Sequence, residues 1–310
     1  AANGFGQCAG VYAPYCKFAT DFPSGTLQRA LLPYPQFNGI FNNFETSGSS
    51  LYNALQTQVQ KRFKSGVTFL VNYTLSRMMS NTNSGFTSFA STALNKFNQR
   101  AEWTIDNNDQ THVLNVSGVY ELPIGPGKPL LNHGGTLAKN LVGGWQISGI
   151  LTYATGSLSG PPGIKANGDP LGSGAGNRAD IVSGIPISVN WQNYHRGLPV
   201  FNIAAFSDPG QWTLGDSSRV VGALRNPFNE NENISLGKHF YFGERVSAEL
   251  RMEFFNIFNR AQICGFSNTS TNVSDGAGVF GYDNIQSPGV PAPCQGNTPR
   301  HGQAFFKVTF

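Results

Sequence analysis

Period-two alternation of apolar and polar residues recurs in seven segments of this chain, and helical periodicity is nearly absent. In 51–63, Leu55, Thr57, Val59, Lys61 and Phe63 face one way while Gln56, Gln58, Gln60 and Arg62 face the other. In 67–76, Val67, Phe69, Val71, Tyr73 and Leu75 oppose Thr68, Leu70, Asn72, Thr74 and Ser76. In 112–122, Leu114, Val116, Gly118, Tyr120 and Leu122 oppose Asn115, Ser117 and Glu121. The pattern returns in 145–153 (Trp145, Ile147, Gly149, Leu151, Tyr153), in 234–242 (Ile234, Leu236, Phe240, Phe242) and in 246–254 (Val246, Ala248, Leu250, Met252, Phe254). The seventh segment is GQAFFKVTF, 302–310. Each runs for 9–13 residues. That exceeds the ~5–6 of globular strands and approaches the ~9–11 that a tilted strand needs to cross a bilayer. The fold class expected is all-β: an antiparallel transmembrane β-barrel segment of about seven long strands with long outer loops.

The connections support that reading. Short gaps at 64–66 and 243–245 alternate with long ones at 77–111, 154–233 and 255–301, and 123–144 is intermediate. Outer-membrane barrels have short periplasmic turns and longer external loops, whereas a soluble sandwich has no reason to alternate them. If the last strand descends to the periplasm, the short turns are periplasmic. The organisation is then an outer loop over 1–50 holding Cys8 and Cys16, followed by barrel strands and loops over 51–310. Cys264 and Cys294 fall in the outer loop 255–301.

The four cysteines lack the C-x₂₋₄-C spacing and companion ligands of a zinc site, so they read as disulfides of an oxidising compartment. Three connectivities are open, with local pairing expected. Charged residues are only 12% of the chain, about half the usual share, and aromatics reach 12% with 24 Phe. No apolar run nears the ~18 residues of a membrane helix. A net charge of +4 with a single basic cluster, QKRFK at 60–64, gives no nucleic-acid footprint.

Individual residues refine the picture. Trp145 and Tyr153 bracket an apolar run as an aromatic girdle does. Glu249, Arg251 and Glu253 share the opposite face and are expected to bridge one another; with Glu121 they are candidate lumen-facing residues. Lys61 and Lys238 share parity with lipid-facing positions; snorkelling to headgroups or a local bulge accommodates them. GSGAGN (172–177) lacks the Lys-Ser/Thr of a phosphate loop and reads as an outer loop. DNND (106–109) lacks the terminal Glu of a calcium loop and reads as a polar loop tip. The five His are dispersed, and no nucleophile elbow or acid/base constellation is present. Neither catalysis nor a cofactor is expected.

Several blocks carry a resemblance. LLPYPQFNGI (31–40), GSSLYNALQTQVQKRFKSGVTFLVNYTLSR (48–77), HVLNVSGVYELPIGPGK (112–128), LVGGWQISGILTYATGS (141–157) and ISLGKHFYFGERVSAELRMEFFNIFNRA (234–261) resemble the C-terminal part of TonB-dependent outer-membrane receptors. The subgroup resembled has a carboxypeptidase-regulatory-like N-terminal domain and is of Acidobacteria type. The resemblance implies a 22-stranded barrel closed by a plug, importing a bulky ligand with energy from a TonB-type coupling protein. Neither plug nor energy-coupling box is read in this sequence, so a C-terminal barrel fragment in the outer membrane is expected. Its coupling would run through the missing N-terminal part. Phe306, Val308 and Phe310 would be the assembly signal read by the barrel assembly machinery. Two alternatives stay open at this point: a complete small outer-membrane barrel with a structural or adhesion role, and a secreted β-sandwich binding module.

Overall fold

A computed structural model of the chain describes residues 48–64, 66–82, 93–95, 97–125, 127–131, 140–158, 177–193, 198–210, 213–242, 246–261 and 298–310, with Ala30, Tyr34 and Phe37 besides. The strands are β1 (Ser50–Lys64), β2 (Val67–Ser80), β3 (Thr104–Ile105), β4 (His112–Glu121), β5 (Trp145–Ala154), β6 (Asp180–Ile181), β7 (Phe206–Ser207), β8 (Asn229–Phe242), β9 (Val246–Phe255) and β10 (His301–Thr309). The seven long ones form a single antiparallel meander in the order β1-β2-β4-β5-β8-β9-β10, with the two-residue β3 added against the end of β2. Every long strand pairs with its neighbour in sequence. One sheet of this kind is not a sandwich, which needs two sheets packed face to face.

The register carries the face assignment from strand to strand. Val59 lies opposite Val71, Val71 opposite Val116, Val116 opposite Leu151. Further along, Leu236 faces Met252 and Met252 faces Ala304. Because successive side chains point to opposite faces, these pairings gather the apolar sets of all seven strands onto one side. Many of its members are exposed, among them Leu55, Val59, Ile147, Met252, Phe254, Phe306 and Val308. An exposed apolar surface spanning seven strands far exceeds what water tolerates; hydrocarbon removes the penalty.

Aromatic residues mark both edges of this band. Tyr73, Leu114 and Tyr153 share the upper rung, and Tyr120, Trp145 and Phe240 lie at the lower end. From Tyr153 to Trp145 the strand climbs about 27 Å at ~3.4 Å per residue. A tilt of 35–45° leaves roughly 21 Å of height, close to the ~25 Å apolar band of outer-membrane barrels.

Two expectations are corrected here. β8 begins at Asn229, five residues before 234, so Glu230 and Glu232 fall on the apolar face at its outer end. Lys238 does not snorkel. It is 3% exposed, its ammonium donates to the Gly143 carbonyl, and it lies 5.2 Å from the ring centroids of Trp145 and Phe240. Placed opposite Trp145, it is sheltered by two aromatic faces and the preceding connection rather than by headgroups. Lys61 stays in register opposite Phe69, and the β-bulge lies after it, between Lys61 and Lys64.

The connection entering β5 depends on Gly144. Its φ is +74°, and a Cβ there would meet the His239 carbonyl oxygen at 2.4 Å; the same pair is joined by the His239 N–H to Gly144 O bond of 2.8 Å. A left-handed non-glycine residue costs ~1–3 kcal/mol before any clash. Gly144→Ala is therefore expected to lower the unfolding free energy by at least that much, read as a lower midpoint in heat-modifiable gel migration across a urea series.

Candidate functional site

The described parts of the gaps between β2 and β4 and between β5 and β8 lie at one end of the sheet, opposite the end holding Gly66. The described residues of 177–228 build a small unit there with its own core: Ala179, Val200, Phe201, Ala205, Phe206, Val221 and Leu224 are buried together. The Phe201 and Phe206 rings meet edge to face at 5.8 Å, and Phe206 lies in β7, where it pairs with Ile181 of β6. Among the described residues this cluster is the principal hydrophobic core.

Three arginines fasten this cap to the strand ends. Arg178 donates to Glu102 at 2.7 Å, while the other Glu102 oxygen accepts from the Leu94 N–H at 2.8 Å. Arg219 reaches the Ser80 carbonyl and hydroxyl, both at 2.8 Å, where Ser80 also donates to Asp106. Arg225 donates to the Asp109 carboxylate at 2.9 Å, to the Asp109 and Gly156 carbonyls at 3.0 and 2.8 Å, and to Thr111 Oγ1 at 3.1 Å. Glu102 and Asp109 are each 1% exposed, so each charge is both paired and hydrogen-bonded, as burial demands.

The DNND turn is thus an anchor and not a loop tip. Asp106 accepts from Asn108 N–H at 2.8 Å and from Ser80, and Asp109 accepts from Met78 N–H at 2.8 Å and Thr111 Oγ1 at 2.7 Å. Of GSGAGN, residues 172–176 lie outside the described residues. Asn177 is buried, accepting from the Gly215 N–H at 3.0 Å and donating to the Thr213 carbonyl at 2.8 Å.

Burial alone would raise the Asp109 carboxyl, but the Met78 N–H, Thr111 hydroxyl and Arg225 guanidinium outweigh it and hold the group below its ordinary value. A depressed carboxyl contributes stability that is fully present above the unfolded value near ~3.9 and lost as pH falls through the folded one. The cap contact is expected to weaken only in acid, below pH ~4. Protease cleavage within 177–228, followed against pH in the folded protein, should rise there, and Asp109→Asn should flatten the rise.

On the apolar side of the same rim, the turn after β9 forms a second clamp. Arg260 binds Glu232 at 2.8 Å and also pairs with Glu230. Asn256 and Asn259 adopt left-handed φ values of 48° and 53°. Asn256 then donates to the Arg260 and Thr298 carbonyls at 3.0 Å, tying β9's exit to β10's entry. The FNIFNR block is therefore a geometric device: two αL asparagines and one arginine that neutralises the acids of β8.

The polar face carries the residues picked out in sequence. Arg251 bridges Glu249 (Nε at 2.9 Å) and approaches Glu253 at 3.6 Å; Gln303 of β10 donates to Glu253 at 2.6 Å. Glu121 pairs with Lys128 at 3.0 Å. Phe306 and Val308 lie on the apolar face of β10, and Phe310 follows that strand. Cys8, Cys16, Cys264 and Cys294 lie outside the described residues.

A cleft of 280 Å³ opens on the polar face under the Asp106–Gln110 turn, lined by Tyr52, Gln56, Thr74, Ser76, Met78 and Val113 from the strands and Asn108, Asp109 and Gln110 from the turn. Among the described residues no group of three His, Cys, Asp or Glu is placed to hold a metal ion.

Sequence reading missed the arginine clasps. Both outer gaps carry acids and bases together, so nothing in the sequence marks Glu102, Asp106 and Asp109 as the neighbours of Arg178, Arg219 and Arg225.

A lipid-compatible face, a polar face, an up-and-down meander and a one-sided cap define the wall of an outer-membrane β-barrel. Residues 11–289 match the family model described as "Outer membrane beta barrel domain", and the chain belongs to that family. Its place is the outer membrane. No curated protein matches it.

Proposed function

We propose that the chain is the C-terminal barrel portion of a TonB-dependent transporter or receptor that takes up a bulky ligand. The observation that carries this reading is strand direction. In a meander of seven, β1 and β10 run the same way, so pairing them with each other would need a parallel seam. An all-antiparallel barrel closes only with an even count, so an odd number of further strands must lie between the two edges. Open edges are not tolerated in hydrocarbon. Fifteen more strands give the 22 of plugged outer-membrane transporters, in agreement with the blocks that resemble that family. The buried cap suits ligand capture at the outer mouth, since conserving a fixed shape there requires loops with their own core.

On this reading the polar face lines the lumen, β10 meets the assembly machinery, and energy arrives through a coupling protein that contacts the N-terminal part. The test places photo-reactive residues along the periplasmic side of the full-length protein in cells. An adduct with the inner-membrane coupling protein is expected. No adduct at any position, with an eight-stranded cross-section in nanodiscs, would overturn the reading in favour of a small barrel.

A further inference from the structure

We propose that the outer half of the polar face is a binding track for a neutral polyhydroxylated chain, an oligosaccharide, which enters at the cleft beneath the Asp106–Gln110 turn. This names the ligand class of the transporter reading above and rests on the polar face being the lumen wall.

The register places Gln58, Asn72, Asn115, Thr152 and Asn231 in a single rung across five strands. At ~4.8 Å per strand the rung is about 19 Å long. The rung above it reads Gln56, Thr74, Val113, Ala154 and Asn229, and the one below Gln60, Leu70, Ser117, Ile150 and Asn233. None of these fifteen positions is charged. The charges of this face lie elsewhere, with Arg62 at the lower end of β1, Glu121 near the lower end of β4, Glu249, Arg251 and Glu253 on β9 and Lys307 on β10. The cleft overlaps the β1, β2 and β4 end of the track, and at the β8 end Asn231 Oδ1 is buried without a hydrogen-bond partner.

Ligand chemistry follows by comparing costs. An ionic ligand would leave water and meet no countercharge, which is expensive. In the cleft itself the Asp109 carboxylate is already taken by Arg225, Thr111 and Met78. An apolar ligand would strip water from a row of amides and return no hydrogen bonds. Hydroxyl groups both donate and accept, as primary amides do, so a polyol satisfies the row. Tyr52, more than half exposed beside Met78 at the cleft, offers a ring face to the C–H side of a sugar. The cleft volume, 280 Å³, falls just below the ~300–1,000 Å³ of sites that enclose a whole small molecule, which suits the end of a chain.

The test uses the full-length protein in phosphatidylcholine nanodiscs, free of sugar-headed detergents, on an array of neutral and acidic glycans with a cationic peptide as a further probe. Neutral glycans should be retained, with affinity nearly unchanged between ~50 and ~500 mM salt. The double variant Asn72→Leu/Asn115→Leu should weaken binding roughly tenfold or more through loss of two amide contacts. If that variant does not assemble, Asn72→Gln/Asn115→Gln displaces the same amides in a wall that stays polar, and weaker binding is again expected. Retention of only acidic glycans or the peptide, retention of no glycan, or binding indifferent to the substitutions would overturn the proposal. Binding needs no energy coupling, so a positive coupling-protein adduct with no glycan retained sinks the track alone, and the reverse outcome sinks the transporter reading alone.

Discussion

Asp109→Ala is expected to release the outer cap from the strand ends at a cost of about 3–5 kcal/mol, the range for orphaning one member of a buried ion pair. Asp109 is fully buried as a side chain, whereas Arg225 keeps 19% exposure. Removing the carboxylate leaves a guanidinium with a carbonyl environment and no countercharge. It also leaves the Met78 N–H and Thr111 hydroxyl without their acceptor. The effect should be local. The meander is held by its own ladders, so heat-modifiable migration should persist while external protease gains access within 177–228 on intact cells. The double variant Asp109→Ala/Arg225→Leu should recover part of the loss, because no charge is then buried alone. Cleavage as fast in the double as in the single variant would show that the pair is not what holds the cap.

Val116→Arg should cost roughly 1–3 kcal/mol, between the ~0–1 of an interface and the ~2–4 of the midplane for a cation on the lipid face of a barrel. Val116 lies between Val71 and Leu151, one rung inside the outer aromatic edge of the apolar band. Ser117→Arg, one residue on and on the other face, should cost almost nothing by comparison, since a lumen wall is hydrated. Equilibrium unfolding in urea, read by gel migration after refolding into bilayers, supplies both numbers. Equal destabilisation by the two substitutions would deny that the faces differ in solvent.

How far the sequence reveals this fold depends on how local the signal is. Alternation marks six of the long strands to within a few residues because each carries its own apolar face, needing no knowledge of its neighbours. It fails at the start of β8, NENEN, where both parities are polar and the acids on the lipid side are neutralised by Arg260, some 28 residues from Glu232. It fails differently at Lys238, where parity is right but the partner, the Gly143 carbonyl, lies 95 residues away. The cap is harder still. Arg178 meets Glu102 across 76 residues and Arg225 meets Asp109 across 116, and no short-range period encodes such pairings. The polar track lies between these cases. Each amide is visible as the hydrophilic half of an alternation, but the rung exists only once the register is fixed.

The central claim is that one face of the meander lies in lipid and the other in water, and a nitroxide scan of β4 from 112 to 121 tests it most directly. Single labels in the bilayer-embedded full-length protein, with the native cysteines replaced by Ser, would be relaxed by oxygen and by a water-soluble nickel chelate. Oxygen accessibility is predicted to peak at 114, 116, 118 and 120 and nickel accessibility at 113, 115, 117 and 119, out of phase along the strand. Two profiles rising and falling together, or both without a period of two, would contradict the account.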